Sequence, residues 1–116
     1  MLVSVQESDF EQEVIQSSCP VLVSFWAPWC QLCRVVEPIL LHWQLTAVPH
    51  LKLVRINADE NFRLTRDYNL KSIPAILLFN HGELLSQQLL LQGDRIYIQS
   101  ALESCRQQLS IPLSKS

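Results

Sequence analysis

The sequence has little glycine, little charge and no long apolar run. It holds 2 glycines among 116 residues, with 17% charged and 48% hydrophobic residues and a mean hydropathy of +0.14. This balance excludes intrinsic disorder, which requires low hydrophobicity and high net charge. No uncharged stretch approaches the roughly 18 apolar residues of a membrane span, and the acidic start MLVSVQESDFEQE is unlike a signal peptide. We therefore expect an unexported, cytoplasmic chain with no membrane partner.

The sequence also lacks any basic cluster. Nine Lys and Arg against eleven Asp and Glu give a formal charge of −2, so a surface that tracks phosphates is not expected, and we predict no nucleic-acid partner. Repeats, low-complexity tracts and breaks in composition are absent as well. A chain of this length holds one core, and we predict a single monomeric domain over residues 1–116.

Cysteines are few, and two of the four are close together: Cys30 and Cys33, against Cys19 and Cys105. In an unexported chain one such pair indicates redox chemistry or half a metal site. A zinc site would need a second pair of ligands, and neither Cys19 nor Cys105 has a Cys or His within four residues. We interpret Cys105 as a core residue and Cys19 as a passive surface thiol.

The hydrophobic pattern predicts an α/β fold of order βαβαβαββα, a mixed sheet with helices on both faces. A buried strand at Val21–Trp26 leads directly into a helix over Gln31–Ala47, which Pro38 should bend. The other predicted elements are a strand at Leu2–Val5, a helix with a capping box at Ser8 that buries Phe10 and Val14, a strand at Leu51–Ile56, a short helix capped by Asp59, a strand at Ala75–Phe79, a hairpin turn at Asn80–Glu83 with a strand after it, and a helix over Asp94–Leu109.

The cysteine pair lies where the buried strand meets the helix. Cys30 should therefore sit at the helix N-terminus, where free N–H groups and the helix dipole stabilise a thiolate and lower the pKa of the thiol. Cys33 is three residues on, so both sulfurs face one side of the first turn, close enough for a disulfide. This spacing suits exchange through a mixed disulfide.

At these residues the sequence resembles the thioredoxin family. The segment SDFEQEVIQSSCPVLVSFWAPWC resembles the family's first helix and central strand, and Cys30 and Cys33 match its two active cysteines. Pro38 matches its helix-kinking proline, SIPA before ILLF resembles its cis-proline segment, and NHGE resembles its hairpin turn. The resemblance implies a thioredoxin fold and a thiol–disulfide oxidoreductase that acts on protein disulfides.

The resemblance also implies roles for the residues around the pair. Cys30 should attack the target sulfur and Cys33 should resolve the mixed disulfide. No metal or organic cofactor is implied beyond the Cys30–Cys33 disulfide, and electrons would come from an upstream dithiol reductase. The flanking residues are Trp29, Gln31, Leu32 and Arg34, and the expected target contacts are Trp29, Ile73, Pro74 with a cis bond, and Leu90 or Leu91.

Several positions depart from the family's pattern. Gln31 and Leu32 replace its Gly-Pro, which should change the redox potential. Ser24 aligns with its buried aspartate, so the proton acceptor for Cys33 is missing and resolution should be slow. Arg55 aligns with its nearby lysine and cannot act as a base. The family's glycine before the last helix falls at Leu90 or Leu91, which makes that rim bulkier.

The sequence leaves three alternative functions open. The chain could work mainly as a more oxidising oxidase or isomerase. It could be a docking module that binds partners through Trp29, Ile73 and Leu90 or Leu91 without turnover. It could hold zinc, although His42, His50 and His81 show no paired ligand spacing.

Overall fold

A five-stranded mixed sheet forms the centre of the fold in the computed structural model, which describes residues 2–114, with side chains up to residue 109. The observed element order confirms the predicted α/β class. The strands are β1 (Leu2–Ser4), β2 (Val21–Trp26), β3 (Lys52–Asn57), β4 (Ala75–Asn80) and β5 (Glu83–Leu89), and the helices are α1 (Gln31–Ala47), α2 (Phe62–Asp67) and α3 (Arg95–Ser114).

The strands are arranged in the order β1-β3-β2-β4-β5. β1, β3 and β2 run parallel, whereas β4 and β5 are antiparallel to their neighbours. In the register of β2 and β3, Ser24 lies directly opposite Arg55. Side chains alternate along a strand, so Ser24 and Arg55 both point to the face of the sheet that α1 covers.

Each face of the sheet carries its own hydrophobic core. One packs α1 and α3 against the sheet, and the other packs the N-terminal helical segment and α2 against the opposite face. β2 and β4 are central and buried on both faces, which explains their nearly continuous apolar runs. The bulkiest fully buried side chains include Phe25, Phe79, Leu22, Leu40, Ile56, Ile76, Ile98 and Leu102.

The first helical segment differs from its prediction. It consists of a 3-10 turn (Glu7–Asp9) and one π turn (Glu11–Ile15), and Ser8 does not cap a helix. Tertiary contacts hold the segment instead, since the N–H of Glu7 donates to Asn61 Oδ1 at 2.8 Å and its carboxylate accepts the N–H of Leu64. The prediction that Phe10 and Val14 are buried is confirmed.

The prediction that Asp59 caps α2 is wrong. Asp59 lies in a 3-10 turn (Ala58–Glu60), and the residue before α2 is the buried Asn61. The side chain of Asn61 donates to the carbonyl of Asn57 at 2.8 Å, so it braces the turn between β3 and α2.

Both predicted long helices are present, and α3 continues to Ser114, five residues past its predicted end at Leu109. α1 covers the predicted range and contains Pro38. α3 begins one residue after Asp94, whose side chain accepts the N–H of Ile96 at 3.0 Å. Cys105 is buried on the inner face of α3, as predicted. Among residues 2–114, no helix is both long and apolar enough to span a membrane.

Turns and side-chain packing also bear on the predictions. The predicted hairpin is present, with His81 and Gly82 both at positive φ (52° and 79°), the conformation that a two-residue hairpin loop requires. Trp26 and Trp43 are partly buried: Trp43 packs against the core beneath α1 and α3, and Trp26 packs against the cysteine cluster.

Candidate active site

Cys30 and Cys33 form a disulfide at the N-terminus of α1. β2 ends at Trp26, and a short turn closed by a hydrogen bond from the N–H of Cys30 to the carbonyl of Ala27 brings Cys30 to the N-cap position. Its sulfur accepts the N–H of Cys33 at 3.1 Å. The two Cα atoms are 5.3 Å apart, a normal separation for a disulfide.

Both cysteines are buried in this oxidised form, with exposed fractions of 5% for Cys30 and 4% for Cys33. In this form Cys30 is therefore no more open to solvent than Cys33. The cause is local packing, since Ala27, Leu32 and Ile73 all contact the disulfide cluster. A target disulfide must reach Cys30 between these neighbours.

The Ile73–Pro74 bond is cis, as the resemblance implied. The carbonyl of Pro74 accepts the N–H of Leu90 at 2.8 Å, and Ile73 packs against the cysteine cluster. The fold thus brings the start of β4 to the end of β2, and Ile73 packs beside the disulfide.

The two leucines considered for the rim occupy different environments. Leu90 has no exposed side-chain surface and belongs to the core beneath α1 and α3. The prediction that its side chain could contact a target is therefore wrong. Leu91 is 63% exposed, and its N–H donates to the hydroxyl of Tyr97 at 3.3 Å.

Trp29 is 67% exposed and its indole N–H donates to Asp59 Oδ2 at 2.9 Å. This bond holds a large aromatic side chain on the surface next to Cys30. The role of Asp59 was missed in the sequence, although the ends of parallel strands β2 and β3 meet at one edge of the sheet. Arg34 donates to the carbonyl of Pro28 at 3.1 Å, and Gln31 is exposed.

An apolar groove of about 460 Å³ extends from Ile73 and Trp29 away from the disulfide. Phe62, which is 75% exposed, and Leu70 form its far side. The sequence did not indicate this groove, because Phe62 lies in a short helix whose outer face only the tertiary structure reveals.

A smaller cavity of about 200 Å³ lies on the other side of the pair and is lined by Cys33, but not by Cys30. Three charged residues also line it: Arg34 and Glu37 of α1 and Arg55 of β3. The Nε atom of Arg55 lies 2.8 Å from Oε2 of Glu37. The guanidinium lies 3.8 Å above the ring of Trp26. Neither Glu37 nor this ion pair was predicted as part of the site.

The remaining cysteines lie outside this site. Burial raises the pKa of the Cys105 thiol, an effect partly offset by hydrogen bonds from Ser86 and Gln88. Cys19 is half-buried beside the hydroxyl of Ser17. Within the described part of the chain, no three His, Cys, Asp or Glu side chains come together as a metal-binding group.

A disulfide at the start of a helix that follows a central strand, with Ile73 of the cis Ile73–Pro74 bond packed against it, defines a site for thiol–disulfide exchange. The class of protein is thus a thiol–disulfide oxidoreductase built on an α/β fold.

Comparison with known proteins identifies the family. The thioredoxin family model matches residues 1–102. The chain is 41% identical over 80 residues to thioredoxin 1 of Synechococcus elongatus, covering 69% of this chain and 75% of that protein. It is 42% identical over 79 residues to a thioredoxin of Pyropia yezoensis (68% and 74% covered) and 40% identical over 83 residues to one of Rickettsia bellii (72% and 79% covered). The chain belongs to the thioredoxin family.

Proposed function

We propose that this thiol–disulfide oxidoreductase reduces protein disulfides with Cys30 as the nucleophile and Cys33 as the resolving residue. The observation that carries the assignment is the position of Cys30 at the N-cap of α1, where its sulfur accepts the N–H of Cys33 at 3.1 Å. The same donor, together with the helix dipole, stabilises a thiolate on Cys30 in the reduced protein.

The reaction proceeds in two exchanges. The Cys30 thiolate attacks one sulfur of the target disulfide, and the other target sulfur leaves as a thiolate that takes up a proton. The Cys33 thiolate then attacks Cys30, which breaks the mixed disulfide and releases the second target thiol. The target gains two electrons and two protons, and Cys30–Cys33 becomes a disulfide.

The surface around Cys30 supports recognition of an extended protein segment. Trp29 precedes Cys30 and is exposed, Ile73 packs against the cysteine cluster, and Pro74 immediately precedes β4. Leu91 adds an exposed apolar side chain after β5. We propose that these four residues contact the target. The apolar groove beyond Ile73 would favour a hydrophobic side chain close to the target cysteine.

The proposal requires no metal or organic cofactor, since the dithiol itself carries the two electrons. An upstream dithiol reductase would regenerate the dithiol, so the protein would carry electrons from that reductase to its targets. We propose that it acts as a monomer in a reducing compartment such as the cytoplasm, where a Cys-x-x-Cys pair serves exchange rather than structure.

The two roles are tested with insulin as the disulfide substrate and dithiothreitol as the reductant. We expect Cys30→Ser to abolish reduction, because the attacking sulfur is gone. Cys33→Ser should instead accumulate a covalent complex with a target disulfide, visible by mass spectrometry. The matched control is Cys19→Ser, which should behave as wild type. Accumulation by Cys30→Ser in place of Cys33→Ser would reverse the assignment.

A further inference from the structure

The Glu37–Arg55 pair gives Cys33 a charged neighbourhood. Glu37 lies four residues after Cys33 on α1, so the two residues share one face of the helix. Side chains on a helix tilt toward its N-terminus, which directs the Glu37 carboxylate toward the turn that carries Cys33. Both residues line the 200 Å³ cavity, with no part of Cys30 in its lining.

The sheet fixes the position of this carboxylate. Arg55 stands on β3, packs over the ring of Trp26 at 3.8 Å, and places Nε 2.8 Å from Glu37 Oε2. The N–H does not point at the oxygen well enough for a hydrogen bond, so both atoms are buried without a hydrogen-bond partner. A cavity of this size with polar groups on its wall accommodates water molecules.

We infer that Glu37 accepts the proton of the Cys33 thiol, directly or through a water molecule in the cavity, when the mixed disulfide is resolved. This inference rests on the proposed function, since it assigns a proton acceptor to the resolving step. It also replaces the expectation drawn from Ser24. The carboxylate missing from β2 is supplied by α1 on the same face of the sheet, with Arg55 between the two positions.

In this step the S–H bond of Cys33 breaks and its proton passes to the Glu37 carboxylate. The Cys33 thiolate forms a bond to Cys30 Sγ while the bond between Cys30 and the target sulfur breaks. The target leaves as a thiolate, and Glu37 returns its proton to that thiolate or to solvent. Arg55 keeps the carboxylate beside Cys33 throughout the cycle.

The test measures resolution apart from attack. Cys30 is loaded at acidic pH with the aromatic thiol of dithionitrobenzoate, and a jump to higher pH starts release of the coloured thiolate by Cys33. We expect Glu37→Gln to slow release at least about tenfold near pH 7, which is less than the roughly 10²–10⁴-fold gain usual for a positioned base because water partly substitutes. The difference should vanish at high pH, where hydroxide removes the Cys33 proton.

The matched control is Glu13→Gln, which breaks the other partly buried ion pair, Glu13–Lys52, away from the cysteines. It should release the thiol at the wild-type rate. If Glu37→Gln follows wild type across the pH range, or if Glu13→Gln slows release equally, the inference is wrong. Should Glu37→Gln not fold, Glu37→Gln/Arg55→Met, which leaves no unpaired charge, is measured in its place against the same criteria.

A second arm separates this inference from the proposed function. In a Cys33→Ser background, Glu37→Gln should leave the rate of attack by Cys30 unchanged, because Glu37 serves only the later step. If Cys33→Ser traps no target, the proposed roles of the two cysteines are wrong. If trapping is normal but Glu37→Gln releases the thiol at the wild-type rate, only the role of Glu37 is wrong.

Discussion

At the scale of single residues, Gly93 provides the space that Leu32 occupies between the cysteines and the loop before α3. A Cβ atom added to Gly93 would lie 3.1 Å from Leu32 Cδ1 and 3.7 Å from Val35 Cγ1. The backbone of Gly93 does not have positive φ, so the glycine is needed for space rather than for conformation. The leucine in the active-site turn therefore fits because the loop before α3 has no side chain at position 93.

This contact predicts a coupling between the two positions. Gly93→Ala alone should change the free energy of unfolding little, because the roughly 0.4–1 kcal/mol gained from a stiffer unfolded chain is offset by displacement of Leu32. In a Leu32→Ala background, where the contact is gone, the same substitution should stabilise the protein by about 0.4–1 kcal/mol. Denaturant unfolding of the oxidised proteins measures both. Equal effects in the two backgrounds would contradict the steric explanation.

Cys105 is a second residue whose environment has a measurable consequence. Burial raises the pKa of its thiol above the ordinary value of 9.0, so the unfolded chain releases this proton before the folded one does. The associated stability is complete below about pH 9 and is lost as pH rises toward the folded pKa. Burial also raises the pKa of Tyr68, which extends the loss above pH 10.

We therefore expect the free energy of unfolding of the oxidised protein to fall as pH rises above 9. Cys105→Ala should remove the part of this slope that comes from the thiol, while lowering stability at neutral pH by about 1 kcal/mol through lost packing. Cys19→Ala is the matched control and should keep the wild-type slope. A Cys105→Ala protein with the full slope would show that another group causes it.

At the scale of secondary structure, α1 and the neighbouring parallel strands β2 and β3 together place charged groups beside Cys33. Ser24 of β2 is 2% exposed and opposite Arg55 in register. Glu37 reaches the same guanidinium from the helix. A carboxylate can therefore face Arg55 from either element, and in this chain it does so from the helix.

Ser24→Asp tests whether the two elements are interchangeable. In wild type we expect little acceleration of thiol release near pH 7, because Glu37 already provides a proton acceptor. In a Glu37→Gln background the same substitution should restore most of the lost rate, with Arg55 as partner for the new carboxylate. The pH-jump measurement compares the four proteins, normalised to folded fraction. Equal acceleration in both backgrounds would show that the two carboxylates do not replace each other.

The elements with strong periodicity were predictable from the sequence, and those held by tertiary contacts were not. The range of α1 and the apolar runs of β2 and β4 follow from local pattern and from burial on both faces. The N-terminal segment, in contrast, is shaped by the bonds between Glu7 and the α2 region. Local capping signals at Ser8 and Asp59 gave no indication of these long-range partners.

The same distinction applies to the site. Cys30, Cys33 and the cis Pro74 follow from spacing and from the family resemblance. Glu37 was not found: its spacing of four residues from Cys33 can be read from the sequence, but the ion pair that holds its carboxylate depends on Arg55, which reaches it from β3. Leu90 and Leu91 could not be distinguished, since a shift of one residue decides which side chain enters the core.

At the scale of the whole molecule, redox potential and folding stability are linked. Any interaction that stabilises the reduced form relative to the disulfide makes the potential less negative, and a shift of 30 mV corresponds to about 1.4 kcal/mol. Gln31 and Leu32 begin α1, and their N–H groups are among those that have no partner within the helix. A proline at position 32 would lack this donor.

We therefore expect a potential less negative than the roughly −270 mV of thioredoxin, by about 30 mV, because the N–H of Leu32 adds to the groups that stabilise the Cys30 thiolate. Equilibration with glutathione buffers measures it. Leu32→Pro removes this donor together with the leucine side chain and should make the potential more negative. Leu32→Ala removes the side chain but keeps the N–H, and its potential should stay near wild type. Unfolding of the oxidised and reduced forms gives an independent check, since the gap between their stabilities must change by the matching amount. A wild-type value at or below that of thioredoxin, or equal potentials for Leu32→Pro and Leu32→Ala, would mean that the backbone donor at position 32 does not set the potential.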